Sequence, residues 1–128
     1  MNTEATIPAD PPRLDAASLA RLRELDPDGR HGVVMRVLAA FESSLARMTS
    51  QLQAERGGDD GDAAVVATVA HTLKSSAASV GALELSRVCA EVERRLRENQ
   101  PGDLNADIAR LLTAAEHAQQ AVAAMLRP

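Results

Sequence analysis

Apolar residues recur at three- and four-residue steps along four long stretches of the chain, which is the pattern of α-helices that bury one face. The stretches are residues 31–55, 62–80, 82–99 and 104–126. In the first of them the apolar positions are Val34, Val37, Leu38, Phe41, Leu45, Met48 and Leu52. Helices of this kind, joined by short breaks, can bury their apolar stripes only against one another. The pattern therefore predicts an all-α fold, an antiparallel four-helix bundle.

A short additional helix is predicted in front of the bundle. Asp15 is suited to cap its start, and residues 26–29 (DPDG) end it. It carries three leucines, Leu19, Leu22 and Leu25. Residues 1–13 contain three prolines and few apolar side chains, so we expect a disordered N-terminal arm there. Residues 14–128 are expected to form one helical domain.

The breaks between the bundle helices are short and rich in glycine, proline and acidic residues. Residues 56–62 (RGGDDGD) separate the first two helices, and Pro101 with Gly102 separates the last two. Gly81 directly follows the helix over residues 62–80, where a helix often ends in a left-handed residue. Gly81 is therefore predicted to end that helix.

Composition and charge exclude several classes of function. The 128 residues contain 14 basic and 18 acidic side chains, and Phe41 is the only aromatic residue, which argues against binding to nucleic acid or to an anionic membrane surface. No apolar run approaches the roughly 20 residues of a membrane span, and the first residues lack the order of a signal peptide. A single cysteine, Cys89, permits no internal disulfide. We expect a cytoplasmic, monomeric protein, and Met1 favours a free-standing one.

The helix over residues 62–80 has an unusual outer face. Its inner face consists of Val65, Val66, Val69, Leu73, Ser76, Ala77 and Val80, whereas small residues surround His71 on the opposite face. Lys74, the only lysine of the chain, lies one helical turn beyond His71. A neutral imidazole is a competent nucleophile near pH 7, and a lysine one turn away can offset the charge of a phosphoryl group bound to the ring.

The residues alone leave a second interpretation open. Alanine is the best helix former, so an alanine-rich outer face can reflect helix propensity and nothing more. His117, in the last helix, also points away from the apolar stripe, and it has no lysine one turn away. A metal site is not indicated, because the three histidines form no H-x₃-H pair and no Glu-x-x-His motif occurs. Cys89 lies in an apolar stripe and is expected to be buried and inert.

The segment AHTLKSSAASVGA, residues 70–82, resembles the signature of histidine-containing phosphotransfer (HPt) domains, H-x-L-K-G-[SA] followed by G-A. The similarity continues at Leu85, Val88, Cys89, Val92 and Glu93, and upstream at Leu14, Asp15, Leu19, Leu22 and Phe41. It therefore covers most of residues 14–126. Two positions depart from the family: Ser75 stands where glycine is usual, and Val92 stands where leucine is usual.

The resemblance implies a role for each matching residue. His71 would accept the phosphoryl group and Lys74 would be the cation next to it. The small residues Ala67, Ser75, Ala78 and Gly81 would let a partner protein approach. Glu93 could orient the imidazole of His71, or it could be a solvated acid that pairs with Arg97. Residues 94–97 (RRLR) are expected to form a solvated face that could receive an acidic partner.

The function implied is that of a phosphorelay intermediate, a phosphocarrier and not an enzyme. His71 would take the phosphoryl group from a receiver-domain aspartate or a hybrid kinase and pass it to a response-regulator receiver. The partners would be receiver domains and a sensor or hybrid histidine kinase, with Mg²⁺ held by the receiver and no cofactor on this chain. The glycines at 57, 58 and 61 are not followed by G-K-[ST], so no nucleotide loop is expected. The alternative is an adaptor that binds receivers through the same face without phosphate.

Overall fold

The computed structural model describes residues 11–56 and 62–128, and these residues form five α-helices and no strand. The helices are α1 (Ala16–Arg23), α2 (Val33–Ala54), α3 (Ala63–Val80), α4 (Leu83–Arg97) and α5 (Leu104–Leu126). Each bundle helix begins and ends within two residues of its predicted bounds. The all-α prediction is confirmed: α2 to α5 form a four-helix bundle, and α1 is the short additional helix.

The core of the bundle consists of the apolar stripes that the sequence predicts. Fully buried side chains come from all four long helices: Leu38, Leu45, Leu52, Val66, Leu73, Val80, Leu85, Cys89, Val92, Ile108, Leu111 and Val122. α3 and α4 pack together most extensively, and α3 also contacts α2. Because the inner face of α3 is filled in this way, its opposite face is the one that reaches solvent.

Asp15 caps α1 as predicted, but Leu25 does not belong to that helix. The carboxylate of Asp15 accepts the backbone N–H of Ser18 at 3.0 Å. α1 ends at Arg23, and the chain then turns around the buried Asp26, whose carboxylate accepts the backbone N–H of His31 at 3.0 Å. This turn carries Leu25 outward, where it is 69% exposed. The prediction that the short helix extends far enough to carry Leu25 is therefore wrong.

Gly81 ends α3 in the left-handed conformation, with φ of +85°, as predicted. Its carbonyl oxygen accepts the backbone N–H of Asp15 at 2.9 Å, so the start of α1 is attached to the end of α3. A Cβ atom on Gly81 would lie 2.7 Å from the backbone nitrogen of Asp15. The contact between these two backbones therefore requires a residue without a side chain.

Two predictions concern residues that lie wholly or partly outside the described part of the chain. The predicted disordered arm spans residues 1–13, of which 1–10 are not described, and the predicted glycine-rich break spans residues 56–62, of which 57–61 are not described. Residues 11–15 precede α1 without forming a helix. The start of the domain at residue 14 stays a prediction.

Candidate functional site

His71 lies on the outer face of α3, with 64% of its side chain exposed. Ala67, one turn before it, is half-buried, and Ser75, one turn after it, is exposed. Neither residue has a side chain long enough to cover the imidazole. The ring is therefore accessible to another protein from the solvent side of the bundle.

A buried carboxylate from the neighbouring helix holds the imidazole. Glu93 of α4 is only 3% exposed, and its Oε2 accepts a hydrogen bond from Nδ1 of His71 at 2.7 Å. Its Oε1 accepts one from Nζ of Lys74 at 2.6 Å, and Arg97 donates to Oε2 as well. Of the two interpretations of Glu93, the solvated acid is wrong, although the pairing with Arg97 is present. The structure brings together His71, Lys74 and Glu93 in one hydrogen-bonded group.

Glu93 is ionised at neutral pH in spite of its burial. Hydrogen bonding to Lys74 is the largest cause that lowers the pKa of its carboxyl group, and His71 and Arg97 lower it further. Burial raises the pKa of this carboxyl group, but by less than these contacts lower it. Because a carboxylate only accepts hydrogen bonds, Nδ1 is the donor in this contact, and the neutral ring of His71 carries its proton there. The lone pair of Nε2 is then available for reaction.

The lowered pKa predicts how acid affects stability. A lowered folded-state pKa contributes stability that is complete above the unfolded-state value, about 4.3 for glutamate, and is lost as the pH falls through the folded-state pKa. Wild type should therefore exceed Glu93→Gln in free energy of unfolding at pH 7, and the difference should shrink towards pH 3. Urea unfolding at several pH values measures this. Glu116→Gln, at an exposed glutamate, is the control. A difference independent of pH would contradict the assignment.

Lys74 contacts the carboxylate and the neighbouring helix at the same time. Its side chain is 36% exposed, and its backbone carbonyl accepts a hydrogen bond from the hydroxyl of Ser86 in α4 at 2.9 Å. An ammonium group has three N–H donors, so the contact with Glu93 leaves others available. Lys74 is thus held beside His71 with capacity for a further anionic group.

The structure divides the arginine-rich segment of α4 into three different environments. Arg94 is exposed, as expected of a solvated face. Arg95 is half-buried and its Nε donates to Oδ2 of Asp107 in α5 at 2.8 Å, so the prediction of a solvated residue is wrong there. Arg97 lies four residues after Glu93, one helical turn, and contacts its carboxylate. Arg97 is not among the predicted site residues, although its spacing to Glu93 was a signal for it.

Gly81 does not belong to the predicted docking face. It is buried against Asp15 at the end of α3, ten residues beyond His71. Because its backbone is already covered by the start of α1, no partner can approach it there. This corrects the predicted set: Ala67, Ser75 and Ala78 remain on the outer face of α3, and Gly81 has a structural role.

The surface beside His71 is a shallow depression and not a closed cavity. Its volume is about 260 Å³, and it is lined by Ala67, Thr68, His71, Glu93 and Arg97. It presents one imidazole, one carboxylate and one guanidinium group. Such a surface can supply a nucleophile and nearby charges. It does not enclose a bound group by itself, so the remaining walls around such a group must come from a partner.

His117 and Cys89 do not reproduce this arrangement. Nδ1 of His117 contacts Oε1 of Glu84 at 2.9 Å, but that carboxylate is exposed, and in the described part of the chain no lysine or arginine joins the pair. Cys89 is fully buried, and burial raises the pKa of its thiol to about 12. The thiol is therefore protonated at neutral pH and a poor nucleophile. Within the described ranges no three His, Cys, Asp or Glu residues cluster as metal ligands would.

Comparison with known proteins decides the family. A sequence profile described as the Hpt domain matches residues 36–124, well over half of the chain, and the match includes His71, Lys74, Glu93 and Arg97. The chain belongs to the Hpt domain family. A search of curated proteins found no match for this Hpt domain. The resemblance seen in the sequence is thereby confirmed, and the role of the chain is histidine phosphotransfer in a two-component phosphorelay.

A solved structure has the same fold as this Hpt domain. It is the crystal structure of histidine-containing phosphotransfer protein B (HptB) from Pseudomonas aeruginosa PAO1, with a TM-score of 0.64. The two sequences are 23% identical, and the similarity covers 92% of this chain and 97% of the other. At 23% identity the comparison supports the fold of this chain.

Among the described helices, none has the length and apolar character needed to cross a membrane.

Proposed function

We propose that this Hpt domain is a phosphorelay intermediate that carries the phosphoryl group on Nε2 of His71. The donor is the phospho-aspartate of a receiver domain or of a hybrid kinase, and the acceptor is the aspartate of a response-regulator receiver. One observation supports this above all: His71 is exposed while its Nδ1 is bound to the buried carboxylate of Glu93. That contact orients the ring and leaves Nε2 free towards a partner.

The transfer step needs no other nucleophile from this chain. The lone pair of Nε2 forms the N–P bond, and the P–O bond to the aspartate breaks, with its electron pair leaving on the aspartate carboxylate. The proton on Nδ1 stays in place, so the imidazole gains positive charge as the bond forms. The carboxylate of Glu93, 2.7 Å from Nδ1, stabilises that charge. Transfer to the second receiver is the reverse of this step.

Lys74 and Arg97 balance the charges that meet at this site. A phosphoryl group carries close to two negative charges at neutral pH, and Glu93 adds one more nearby. Lys74 and Arg97 both contact Glu93 and lie on either side of the imidazole along the two helices. The two cations therefore reduce the repulsion between phosphoryl group and carboxylate, although exposure to water keeps each contribution small.

The partner supplies the remaining chemistry in this proposal. The receiver holds Mg²⁺ in its acidic pocket and encloses the phosphoryl group against the outer face of α3. Ala67, Ser75 and Ala78 let the backbone of the receiver come close to His71. The chain itself acts as a phosphocarrier without autokinase activity, because its sequence contains no G-K-[ST] loop for a nucleotide.

The test is direct transfer of label. Receiver domains are phosphorylated with radiolabelled acetyl phosphate in the presence of Mg²⁺, freed of the donor, and mixed with the Hpt domain. We expect label on this chain within minutes, in a form that acid removes and base does not, which is the behaviour of phosphohistidine. A receiver that binds the chain without transferring label would instead support the adaptor.

Removal of Lys74 should slow transfer without unfolding the domain. In Lys74→Ala one cation is lost while His71 keeps its contact with Glu93, so we expect the initial rate to fall by roughly three- to tenfold, as for an exposed charge worth about 1 kcal/mol. Circular dichroism should show unchanged helix content. Arg47→Ala, which removes an exposed charge from α2, is the control and should transfer at the wild-type rate. Equal effects of the two variants would contradict a specific role of Lys74.

A further inference from the structure

Most of the hydroxyl groups on α3 are used within the protein. Thr68 donates to the carbonyl of Ala64 at 2.9 Å, and Ser79 donates to the carbonyl of Ser75 at 3.1 Å. Ser76 donates to the carbonyls of the preceding turn. Two α3 hydroxyls, on Thr72 and Ser75, find no hydrogen-bond partner among the described residues. Among the hydroxyl groups of α3, only these two are therefore uncommitted.

Ser75, and not Thr72, is placed to act on a group bound to His71. Residues four apart lie on the same face of an α-helix, whereas adjacent residues are rotated by about 100°. Side chains of a helix lean towards its N-terminus, so the hydroxymethyl group of Ser75 leans towards the turn of His71. Thr72 follows His71 directly and points to a different side of the helix.

The cations of the site are less free than Ser75 to serve a phosphoryl group. Lys74 and Arg97 both donate to the carboxylate of Glu93, and that carboxylate also binds Nδ1 of His71. If either cation moved fully to a phosphoryl group, a buried carboxylate would lose a partner. The hydroxyl of Ser75 gives up no contact with the described part of the protein when it turns to the phosphoryl oxygen.

We propose that the hydroxyl of Ser75 donates a hydrogen bond to the phosphoryl group on Nε2 of His71 and so favours retention of that group on the histidine. This rests on the proposed function of His71. The hydrogen bond exists only in the phosphorylated state, so it stabilises phospho-His71 and leaves the free histidine unaffected. Ser75 thereby shifts the equilibrium of the phosphoryl group from the receiver aspartate towards the Hpt domain.

The experiment measures that equilibrium in Ser75→Ala. The Hpt domain and a receiver to which it transfers label are mixed at concentrations too low for their complex to accumulate, and the ratio of labelled His71 to labelled aspartate is determined. Under these conditions the ratio does not depend on docking. We expect Ser75→Ala to lower this ratio about fivefold, the net effect of one typical hydrogen bond that is exposed to water. Ser75→Thr, which keeps the hydroxyl, should restore the ratio to within about twofold.

A matched control and a spectroscopic readout separate this effect from others. Thr72→Val removes the other free hydroxyl of α3 and should leave the ratio unchanged. In domains loaded with phosphoramidate, where Nε2 displaces ammonia from phosphorus, the ³¹P resonance that His71→Gln lacks should shift in Ser75→Ala and stay in place in Thr72→Val.

The outcomes distinguish the two proposals. If Ser75→Ala keeps the wild-type ratio, or if Thr72→Val lowers the ratio by the same factor, the proposed role of Ser75 is overturned. Label on His71 would still support the proposed phosphocarrier. A wild-type domain that acquires no label from receiver or phosphoramidate overturns the carrier itself, and the role of Ser75 with it.

Discussion

Substitution of His71 by glutamine is expected to give a folded domain that takes up no phosphoryl group. The amide nitrogen of glutamine has no free lone pair for attack on phosphorus, so transfer should fall by at least about a hundredfold, to the background of the assay. The fold should survive, because the His71 side chain is 64% exposed and a glutamine amide can still donate to Glu93. Transfer of label from a phosphorylated receiver, with thermal unfolding of the same sample, measures both effects.

His117→Gln is the matched control for this substitution. His117 also contacts a carboxylate of α4 through Nδ1, so the two variants replace the same ring in the same kind of contact. Only the surroundings differ, since Glu93 is buried and bound by two cations, whereas Glu84 is exposed. We expect His117→Gln to take up label at the wild-type rate. Label that persists in His71→Gln would reject His71 as the acceptor.

Alanine at position 81 is expected to destabilise the domain by about 3 kcal/mol, which lowers the melting temperature by roughly 10 °C. Two costs combine here. The residue adopts φ of +85°, which is unfavourable for a residue with a side chain, and the new Cβ would lie 2.7 Å from the backbone nitrogen of Asp15. Because the obstructing atom belongs to a backbone, α1 must shift and the hydrogen bond from Asp15 to Gly81 must weaken.

Gly29→Ala separates the two costs. Gly29 also has positive φ, +69°, but a Cβ there meets no atom within 4 Å. We therefore expect Gly29→Ala to lower the free energy of unfolding by about 1 kcal/mol, which is the conformational cost alone. Chemical denaturation of both variants gives the comparison. Equal losses at the two positions would show that the contact between Gly81 and Asp15 contributes nothing to stability.

The architecture was predictable because each long helix shows its buried face in the sequence. α5 begins and ends at the predicted residues, since Asp103 caps its start and its apolar stripe continues to Leu126. α1 was less predictable. Its third leucine, Leu25, fits the helical spacing, but the buried carboxylate of Asp26 organises a turn that ends the helix first. Contacts from this one carboxylate to the backbone N–H groups of His31 and Val33 leave no periodic signal in the sequence.

The site was predictable on α3 and only partly on α4. His71 lies opposite the apolar stripe of α3, and the spacing of residues within this one helix is enough to predict that position. The burial of Glu93 depends on how α4 is rotated against α3, which neither helix specifies alone. A signal was present, since Glu93 follows the buried Val92 directly and lies one turn after the buried Cys89, at the edge of the stripe. Arg97 contacts the site through Glu93, so it could be predicted as a site residue only once Glu93 had been placed there.

The exposure of His71 has a cost as well as a use. In the proposed relay, the open surface that would admit a receiver also admits solvent, and hydrolysis of the N–P bond would release the phosphoryl group as inorganic phosphate. The imidazole is 64% exposed in a shallow depression that Ala67, Thr68, Glu93 and Arg97 line. In the proposed relay, a phosphoryl group on His71 would therefore be lost to hydrolysis with time, and it would reach a second receiver only if transfer were faster than hydrolysis.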